Sequence, residues 1–426
     1  MDLPGNQAPL TAAAPTTSTD ERHGAALAAV TLLFFMWGFL TCLNDILMPH
    51  LKSVFDLGYA RGALVQLSFF SAYFLVSLPA GKVIARVGYK RGILIGLVVS
   101  GVGALLFYPA ASLPSYAFFL TALFVLASGI AFLQVAANPY VTVLGPREGA
   151  SSRLNLTQAF NALGTTLAPF FGGYLFLASG AVPGSLAEAH AVRLPYVGLA
   201  LTLFVLAGGI AFFKLPRILS AEGDDAAHSI RDALRIPHVA LGVVAIFVYV
   251  GAEVSIGSFL VNFLEQPTIG AMDSVTAAKH VSYYWGGAML GRFIGSLVLR
   301  RVDAGRLLAA CAAVAATLVV TALLSVGSLA MWSLLAVGLF NSIMFPTIFT
   351  LGVAGLGKLT SRGSSLLVMA IVGGAVIPVI FGLIADRVGL QRAFVLPALC
   401  YFYIVFYGIR GSRQKAAAGT APAGAP

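Results

Sequence analysis

The sequence predicts an all-α membrane protein with twelve transmembrane helices arranged as two six-helix pseudo-repeats. Three observations predict it: the composition, a series of long apolar segments, and a nearly constant shift that relates the two halves of the chain. Hydrophobic residues make up 59% of the 426 residues, and charged residues make up only 10%. Soluble domains carry roughly a quarter charged residues, so this chain lacks the polar side chains that a water-facing surface requires.

Twelve apolar segments are each long enough to cross roughly 30 Å of hydrocarbon. Backbone polar groups inside lipid must bond to one another, which favours helices, and the segments of a β-barrel would be shorter and alternating. We therefore predict spans 1 to 12 at residues 25–49, 61–84, 92–111, 116–144, 153–178, 194–213, 239–264, 276–299, 306–326, 330–356, 364–385 and 393–409.

The net charge of +10 reflects the predicted topology rather than a nucleic-acid partner. If successive loops alternate between the two membrane faces, one face carries twenty of the 26 Lys and Arg residues. The other face carries the remaining six, which are Lys52, Arg61, Arg193, Lys279, Arg387 and Arg392. The positive-inside rule then places both termini in the cytoplasm. We expect residues 1–23 and 412–426 to be disordered cytoplasmic tails.

Two halves of six spans each, residues 24–213 and 239–411, flank the longest polar interval, 214–238, which we interpret as a cytoplasmic linker. Paired landmarks recur at nearly one shift. The pairs are Asn138-Pro139 with Phe345-Pro346 and Gly145 with Gly352 (207 residues), Asp45 with Glu253 (208), and Pro169 with Pro378 (209). Parallel six-span repeats are typical of the major facilitator fold, in which a solute binds between the halves.

Two acidic residues, Asp45 and Glu253, lie in otherwise apolar segments, each in the first span of one half. A carboxylate in hydrocarbon is costly and normally faces a bundle interior or a water-filled cavity. Such a group is a candidate for binding a solute or a coupling ion, which predicts a solute transporter. The alternative for Asp45 is a carboxylate that is simply solvated near the membrane surface.

Amide side chains recur on spans 4 and 5. Gln134 and Asn138 are four residues apart and share a helical face, and Asn155, Gln158 and Asn161 follow at intervals of three. Amides both donate and accept hydrogen bonds and can therefore match sugar hydroxyls. The alternative is hydrogen bonding between helices, which membrane bundles use widely. We predict ligand contacts from Gln134, Gln158, Asn161 and Asn138.

The second half offers a carboxylate, aromatic rings and an amide. The candidates are Glu253 on span 7, Tyr283, Tyr284 and Trp285 on span 8, and Asn341 on span 10. Aromatic rings can pack on the apolar face of a sugar, although Tyr and Trp are also common anchors at membrane interfaces. For Arg292 on span 8 we expect a structural role.

Several stretches together resemble the fucose–galactose–glucose symporter subfamily of the major facilitator superfamily, and most of all its bacterial glucose/galactose transporters. The loop 81–91, between spans 2 and 3, resembles the loop signature of the superfamily, with Ala85 where an acidic residue is usual. The other matching stretches are 43–49, 136–146, 153–161, 249–253, 341–349 and 369–374.

The resemblance implies hexose uptake driven by a gradient of sodium or protons. An acid on span 1 of the fucose-transporting branch carries over to Asp45, whereas the glutamate on span 4 aligns with Gln134, which cannot titrate. A relay of two carboxylates through spans 1 and 4 is therefore not available. Glu253 is an acid that the glucose/galactose members share, and it stays a candidate for sugar contact and for coupling. Asn44 and Thr41 are candidate oxygen ligands beside Asp45 for a bound sodium ion.

We accordingly predict a monomer in the bacterial inner membrane whose partners are a sugar, a monovalent cation and the lipid bilayer, with no nucleic acid. Apart from the possible sodium ion we expect no cofactor. No metalloprotease His-Glu-x-x-His or Gly-x-Ser-x-Gly motif occurs, so we predict no enzymatic activity. Two alternatives stay open: an uncoupled hexose facilitator, and a drug or metabolite exporter on the same fold.

Overall fold

The computed structural model describes residues 24–39, 59–112, 115–177, 193–213 and 229–413. These residues are helical almost throughout, and no strand occurs among them. Within this part of the chain, nine segments are long and apolar enough to cross a membrane. The helices of spans 1 to 6 are Gly24–Phe39, Tyr59–Val87, Tyr89–Ser112, Tyr116–Val143, Ala150–Leu177 and Arg193–Phe212.

The second half begins with a short helix, Ile230–Leu234, that leads into span 7. Spans 7 to 9 are Pro237–Glu265, Ser274–Val298 and Ala304–Leu324. Spans 10 to 12 are each interrupted: Gly327–Asn341 with Met344–Val353, Thr360–Met369 with Gly373–Val388, and Leu390–Ala393 with Val395–Phe406. One-turn 3₁₀ or π segments accompany them at Arg147–Gly149, Gly357–Leu359, Ala370–Val372 and Tyr407–Gly411.

Local sequence signals set several of these helix ends. Asp273 caps span 8 by accepting hydrogen bonds from the backbone N–H groups of Val275 and Thr276, and Asp303 caps span 9. The turns after spans 2 and 11 each contain a glycine with positive φ, Gly88 (84°) and Gly389 (92°). Glycine adopts this left-handed conformation without steric cost, so each turn reverses the chain within a few residues.

The first and fifth spans of each half cross so closely that only glycine fits. A methyl group added to Gly164 of span 5 would lie 2.2 Å from the carbonyl oxygen of Phe35 in span 1. In the second half, a methyl group on Gly373 would lie 2.0 Å from the carbonyl oxygen of Phe247 in span 7. These glycines are 209 residues apart (373 − 164), which matches the shift inferred from the sequence. The crossing is therefore one element of the repeat.

The halves meet where span 5 packs on span 8 and where span 2 packs on span 11. Spans 4 and 5 also contact spans 11 and 10 of the other half, respectively. We define the basic end of the bundle as the end at which Lys90, Arg147, Arg300 and Lys358 lie. The central interface between the halves is the place where a solute pathway would run.

Candidate functional site

A seam of hydroxyl side chains joins the two halves near the basic end. Ser151 and Thr350 share a 2.6 Å hydrogen bond between their hydroxyls, and the Asn155 amide lies 3.3 Å from the Thr347 hydroxyl. Two serines bond to backbone instead: Ser152 donates to the carbonyl oxygen of Ser296 (2.6 Å), and Ser361 donates to that of Gly81 (2.8 Å). We call Ser151, Ser152, Ser296, Thr347, Thr350 and Ser361 the hydroxyl seam.

Prolines in spans 4 and 10 free two carbonyl groups that polar side chains then use. Pro139 has no N–H to bond the carbonyl of Val135, and that carbonyl accepts a 3.1 Å hydrogen bond from Ser364 of the other half. Pro346 likewise cannot bond the carbonyl of Ser342, where span 10 is interrupted. That carbonyl accepts from Nε of Arg292 at 3.2 Å. The prolines are 207 residues apart (346 − 139), so the device belongs to the repeat.

Span 4 holds the buried amide of Gln134 beside span 2. Nε2 of Gln134, which is 6% exposed, donates a 3.0 Å hydrogen bond to the Tyr73 hydroxyl, which the sequence did not single out. Oε1 of Gln134 has no hydrogen-bond partner among the described residues. One turn further on, Asn138 is fully buried, and neither of its amide atoms has a partner in the described part of the chain. Span 4 thus presents polar atoms that a ligand or water could satisfy.

The amide stripe of span 5 divides between helix packing and the interface. Asn161 donates from Nδ2 to the carbonyl oxygen of Phe34 at 2.9 Å, which ties span 5 to span 1. Gln158 is 5% exposed, and its backbone carbonyl accepts from Arg292 of the second half. Asn155 is bound within the hydroxyl seam, although its Oδ1 has no partner among the described residues. Asn155 and Asn161 therefore use their amide groups for hydrogen bonds between helices, which is the alternative to ligand contact.

A chain of hydrogen bonds runs through the second half from Glu253. The Tyr249 hydroxyl donates to Oε1 of Glu253 (2.8 Å) and lies 3.1 Å from the backbone carbonyl of Asn341. Nδ2 of Asn341 donates to the Tyr284 hydroxyl at 2.7 Å. Asn341 and Tyr284 are fully buried, whereas Glu253 is half-buried. The structure therefore brings Glu253, Asn341 and Tyr284 together. Tyr249 connects them, although it was not among the site residues predicted from the sequence.

Arg292 connects this chain to the first half. Its NH1 donates to the carbonyl oxygen of Gln158 at 3.2 Å, and its Nε bonds Ser342 of its own half. It also lies near enough to Glu253 for a favourable charge interaction. Arg292 is thus a cation whose hydrogen bonds join the two halves of the protein.

The three aromatic candidates of span 8 point in different directions. Tyr284 is buried, while Tyr283 is 59% exposed and packs against Trp332 and His280, away from the Asn341 and Glu253 group. Trp285 packs edge-on against Tyr284 and lies against Gly257, one turn along span 7 from Glu253. Of these rings, Trp285 is the one that is both exposed and packed one helical turn from Glu253.

The candidate cation ligands Asp45, Asn44 and Thr41 lie outside the described residues. Within the described ranges, no three His, Cys, Asp or Glu side chains cluster as a metal site would require. Coupling to a sodium ion or a proton through these residues therefore stays a prediction.

Comparison with known proteins agrees with the fold described above. The family model described as the Major Facilitator Superfamily matches residues 25–370. The chain is 56% identical to a glucose/galactose transporter of Brucella abortus, over 93% of this chain and 97% of that protein. It is 35% identical to the L-fucose-proton symporter of Escherichia coli, over 91% and 93% of the two chains. A crystal structure of the transporter FucP in the outward conformation superposes with a TM-score of 0.85, at 34% identity, and covers 92% of this chain and all of that one.

Proposed function

The chain belongs to the major facilitator superfamily, and within that family we propose that it is a secondary active hexose transporter. It would import a sugar like glucose or galactose together with a sodium ion or a proton, by alternating access of the two halves. The fold is the predicted twelve-helix fold, and the relatives are transporters rather than enzymes. Support for the sugar comes from relatives named for glucose, galactose and fucose.

The observation that carries the proposal is the set of incompletely bonded buried amides on span 4. An unpaired buried polar atom costs roughly 1–3 kcal/mol, so such atoms normally have a ligand or water as partner. Oε1 of Gln134 and both amide atoms of Asn138 lack protein partners among the described residues. Gln134 directly precedes Val135 and Asn138 follows it by three residues; the carbonyl of Val135 accepts a hydrogen bond from the other half. Hydroxyls of a sugar that enters between the halves would supply the missing donors and acceptors.

Coupling rests on the two acidic residues of spans 1 and 7. Asp45 would bind or titrate the cation, with Asn44 and Thr41 as neighbouring oxygen ligands if the ion is sodium. Gln134 cannot exchange a proton, which leaves Glu253 as the second candidate for coupling or for sugar contact. Its bond to Tyr249 and its nearness to Arg292 connect it to the interface between the halves.

The orientation follows from the charge of the loops. The basic end would face the cytoplasm of a bacterial inner membrane, with both termini on that side, because Lys and Arg concentrate there. One chain contains both halves of the pathway, so a monomer embedded in lipid suffices for transport. The hydroxyl seam closes the basic end, which supports an outward-facing state. The similar structure of FucP is also in the outward conformation.

Uptake into proteoliposomes of the purified full-length protein tests the proposal. Radiolabelled glucose and galactose are supplied with an imposed sodium gradient, an imposed proton gradient, or neither, and fucose serves as a competitor. We expect accumulation above the outside concentration with one of the two gradients. Equal uptake without any gradient would identify a facilitator instead. Drug binding without hexose competition would favour an exporter.

A further inference from the structure

Tyr73 and Gln134 form a buried pair of a phenol and an amide between spans 2 and 4. The distance from Nε2 of Gln134 to the Tyr73 hydroxyl is 3.0 Å, and Tyr73 is 3% exposed. Phe69 and Phe70 pack their rings against that of Tyr73 from the same helix. Because these rings confine the phenol, the hydrogen bond also fixes the plane and the direction of the amide.

An equivalent pair occurs in the second half, which identifies the arrangement as part of the repeat. There Nδ2 of Asn341 donates to the Tyr284 hydroxyl at 2.7 Å. The amides are 207 residues apart (341 − 134) and the tyrosines 211 (284 − 73), close to the shift that relates the halves.

The pair in the first half borders the other half of the protein. Phe70, one turn from Tyr73, lies against Gly374 of span 11, where a methyl group would come within 2.7 Å of its ring. The carbonyl of Val135, next to Gln134, accepts a hydrogen bond from Ser364 of the same span 11. The pair therefore lies at the interface through which the substrate of the proposed function would pass.

We propose that Tyr73 is a positioning residue for sugar recognition. It holds the amide nitrogen of Gln134, and thereby presents Oε1 as an acceptor for one particular hydroxyl of the hexose. An acceptor held in place in advance loses less conformational freedom when the ligand binds, so less of the binding free energy is lost to ordering the side chain. This inference rests on the proposed function, because it assumes that Gln134 contacts the sugar.

The test uses uptake kinetics in proteoliposomes with a panel of singly deoxygenated hexoses as competitors. The Tyr73→Phe variant removes only the hydroxyl, and Tyr108→Phe on span 3 is the matched control, since Tyr108 is exposed and its ring contact with Arg193 survives. We expect Y73F to raise KM roughly tenfold, as for the loss of one oriented hydrogen bond, while kcat changes less than about twofold. The penalty for the one deoxyhexose that lacks the recognised hydroxyl should shrink, and the other penalties should persist.

A second measurement separates positioning from packing. If Tyr73 acts through Gln134, the Tyr73→Phe change should have little further effect on KM in a Gln134→Ala background. Additive effects, or an unchanged deoxyhexose pattern in Y73F with intact uptake, would overturn the inference. Should Y73F not yield folded protein, an unchanged deoxyhexose pattern in Q134A alone would overturn it. A wild-type protein that neither binds nor transports any hexose would instead refute the proposed function.

Discussion

The hydroxyl of Ser361 donates a 2.8 Å hydrogen bond to the carbonyl oxygen of Gly81, which lies 280 residues earlier in the chain. Ser152 makes the corresponding bond from the first half to the second, with the carbonyl of Ser296 as acceptor. The two donors are 209 residues apart (361 − 152), so each half contributes one equivalent bond. Both bonds join neutral groups, and both lie at the basic end of the bundle.

Removing both serine hydroxyls should shift the protein toward opening at the basic end. Each bond contributes about 1 kcal/mol net, so the Ser152→Ala, Ser361→Ala double variant should favour the open state roughly thirtyfold. The measurement is the rate of thiol labelling at Ser364→Cys in inside-out vesicles, after Cys42, Cys311 and Cys400 have been replaced.

Thr202→Ala is the control for this experiment, because the Thr202 hydroxyl bonds only within its own helix among the described residues. It should leave the labelling rate unchanged. Equal labelling rates in the double variant and the parent would show that the seam does not hold this end closed.

Neutralising Asp45 should abolish concentrative uptake while the protein stays folded. Asn keeps the shape of the side chain and loses the charge that would bind or titrate the cation. The steady-state accumulation ratio of hexose in proteoliposomes measures the effect. Asp386→Asn, which changes an exposed carboxylate at the end of span 11, should retain accumulation. Accumulation at the wild-type level in D45N would remove Asp45 from coupling.

Substituting Gly38 should destabilise the packing of span 1 on span 5. A methyl group at Gly38 would lie 2.0 Å from the carbonyl oxygen of Asn161, so the helices must separate. Overpacking of this kind costs about 1–3 kcal/mol, and we expect a lower Tm for Gly38→Ala in detergent.

Gly198→Ala provides the comparison, since a methyl group there meets nothing within 4 Å. The replacement of a helical glycine by alanine favours the helix by about 0.5–1 kcal/mol, so its Tm should be equal or higher. Equal Tm values for G38A and the wild type would contradict the close crossing.

Arg292 and Glu253 should depend on each other for stability. The Arg292→Gln change leaves a half-buried carboxylate without its nearby cation, at a cost on the order of 1–3 kcal/mol. In a Glu253→Gln background the same change should lower Tm less, because no charge is then left unbalanced. The four Tm values of this double-mutant cycle test the prediction. An identical loss of Tm in both backgrounds would mean that Arg292 stabilises the protein only through the hydrogen bonds of its side chain to the carbonyls of Gln158 and Ser342.

The sequence was sufficient for the helices and the repeat because both follow from local and periodic signals. Span 7 was predicted at 239–264 and runs from Pro237 to Glu265. The interruption of span 10 was not predicted, because residues 330–356 form one continuous apolar segment. At the break, Arg292 donates a hydrogen bond to the carbonyl of Ser342, which Pro346 leaves free. Such a contact joins residues 50 positions apart and leaves no trace in hydropathy.

The polar contacts were harder to predict than the polar residues. Gln134 is prominent as an amide in an apolar span, but Tyr73 lies among aromatic and apolar neighbours and gives no comparable signal. Adjacent residues also separate in space, because Tyr283 and Tyr284 differ by about 100° around the helix, and only the tertiary packing shows which of them is buried. Which side of a helix is buried therefore depends on how the helices pack in the assembled bundle.

The hydrogen bonds that Ser152 and Ser361 make to the opposite half both end on main-chain oxygens. Every amino acid carries such an oxygen, so no change of residue type at positions 81 or 296 can delete the acceptor, although a larger residue could push it away. The strength of this contact between the halves can therefore change in evolution through the donor alone, when alanine, cysteine or threonine replaces the serine at position 152 or 361. The two-fold repetition further allows each side to be adjusted separately.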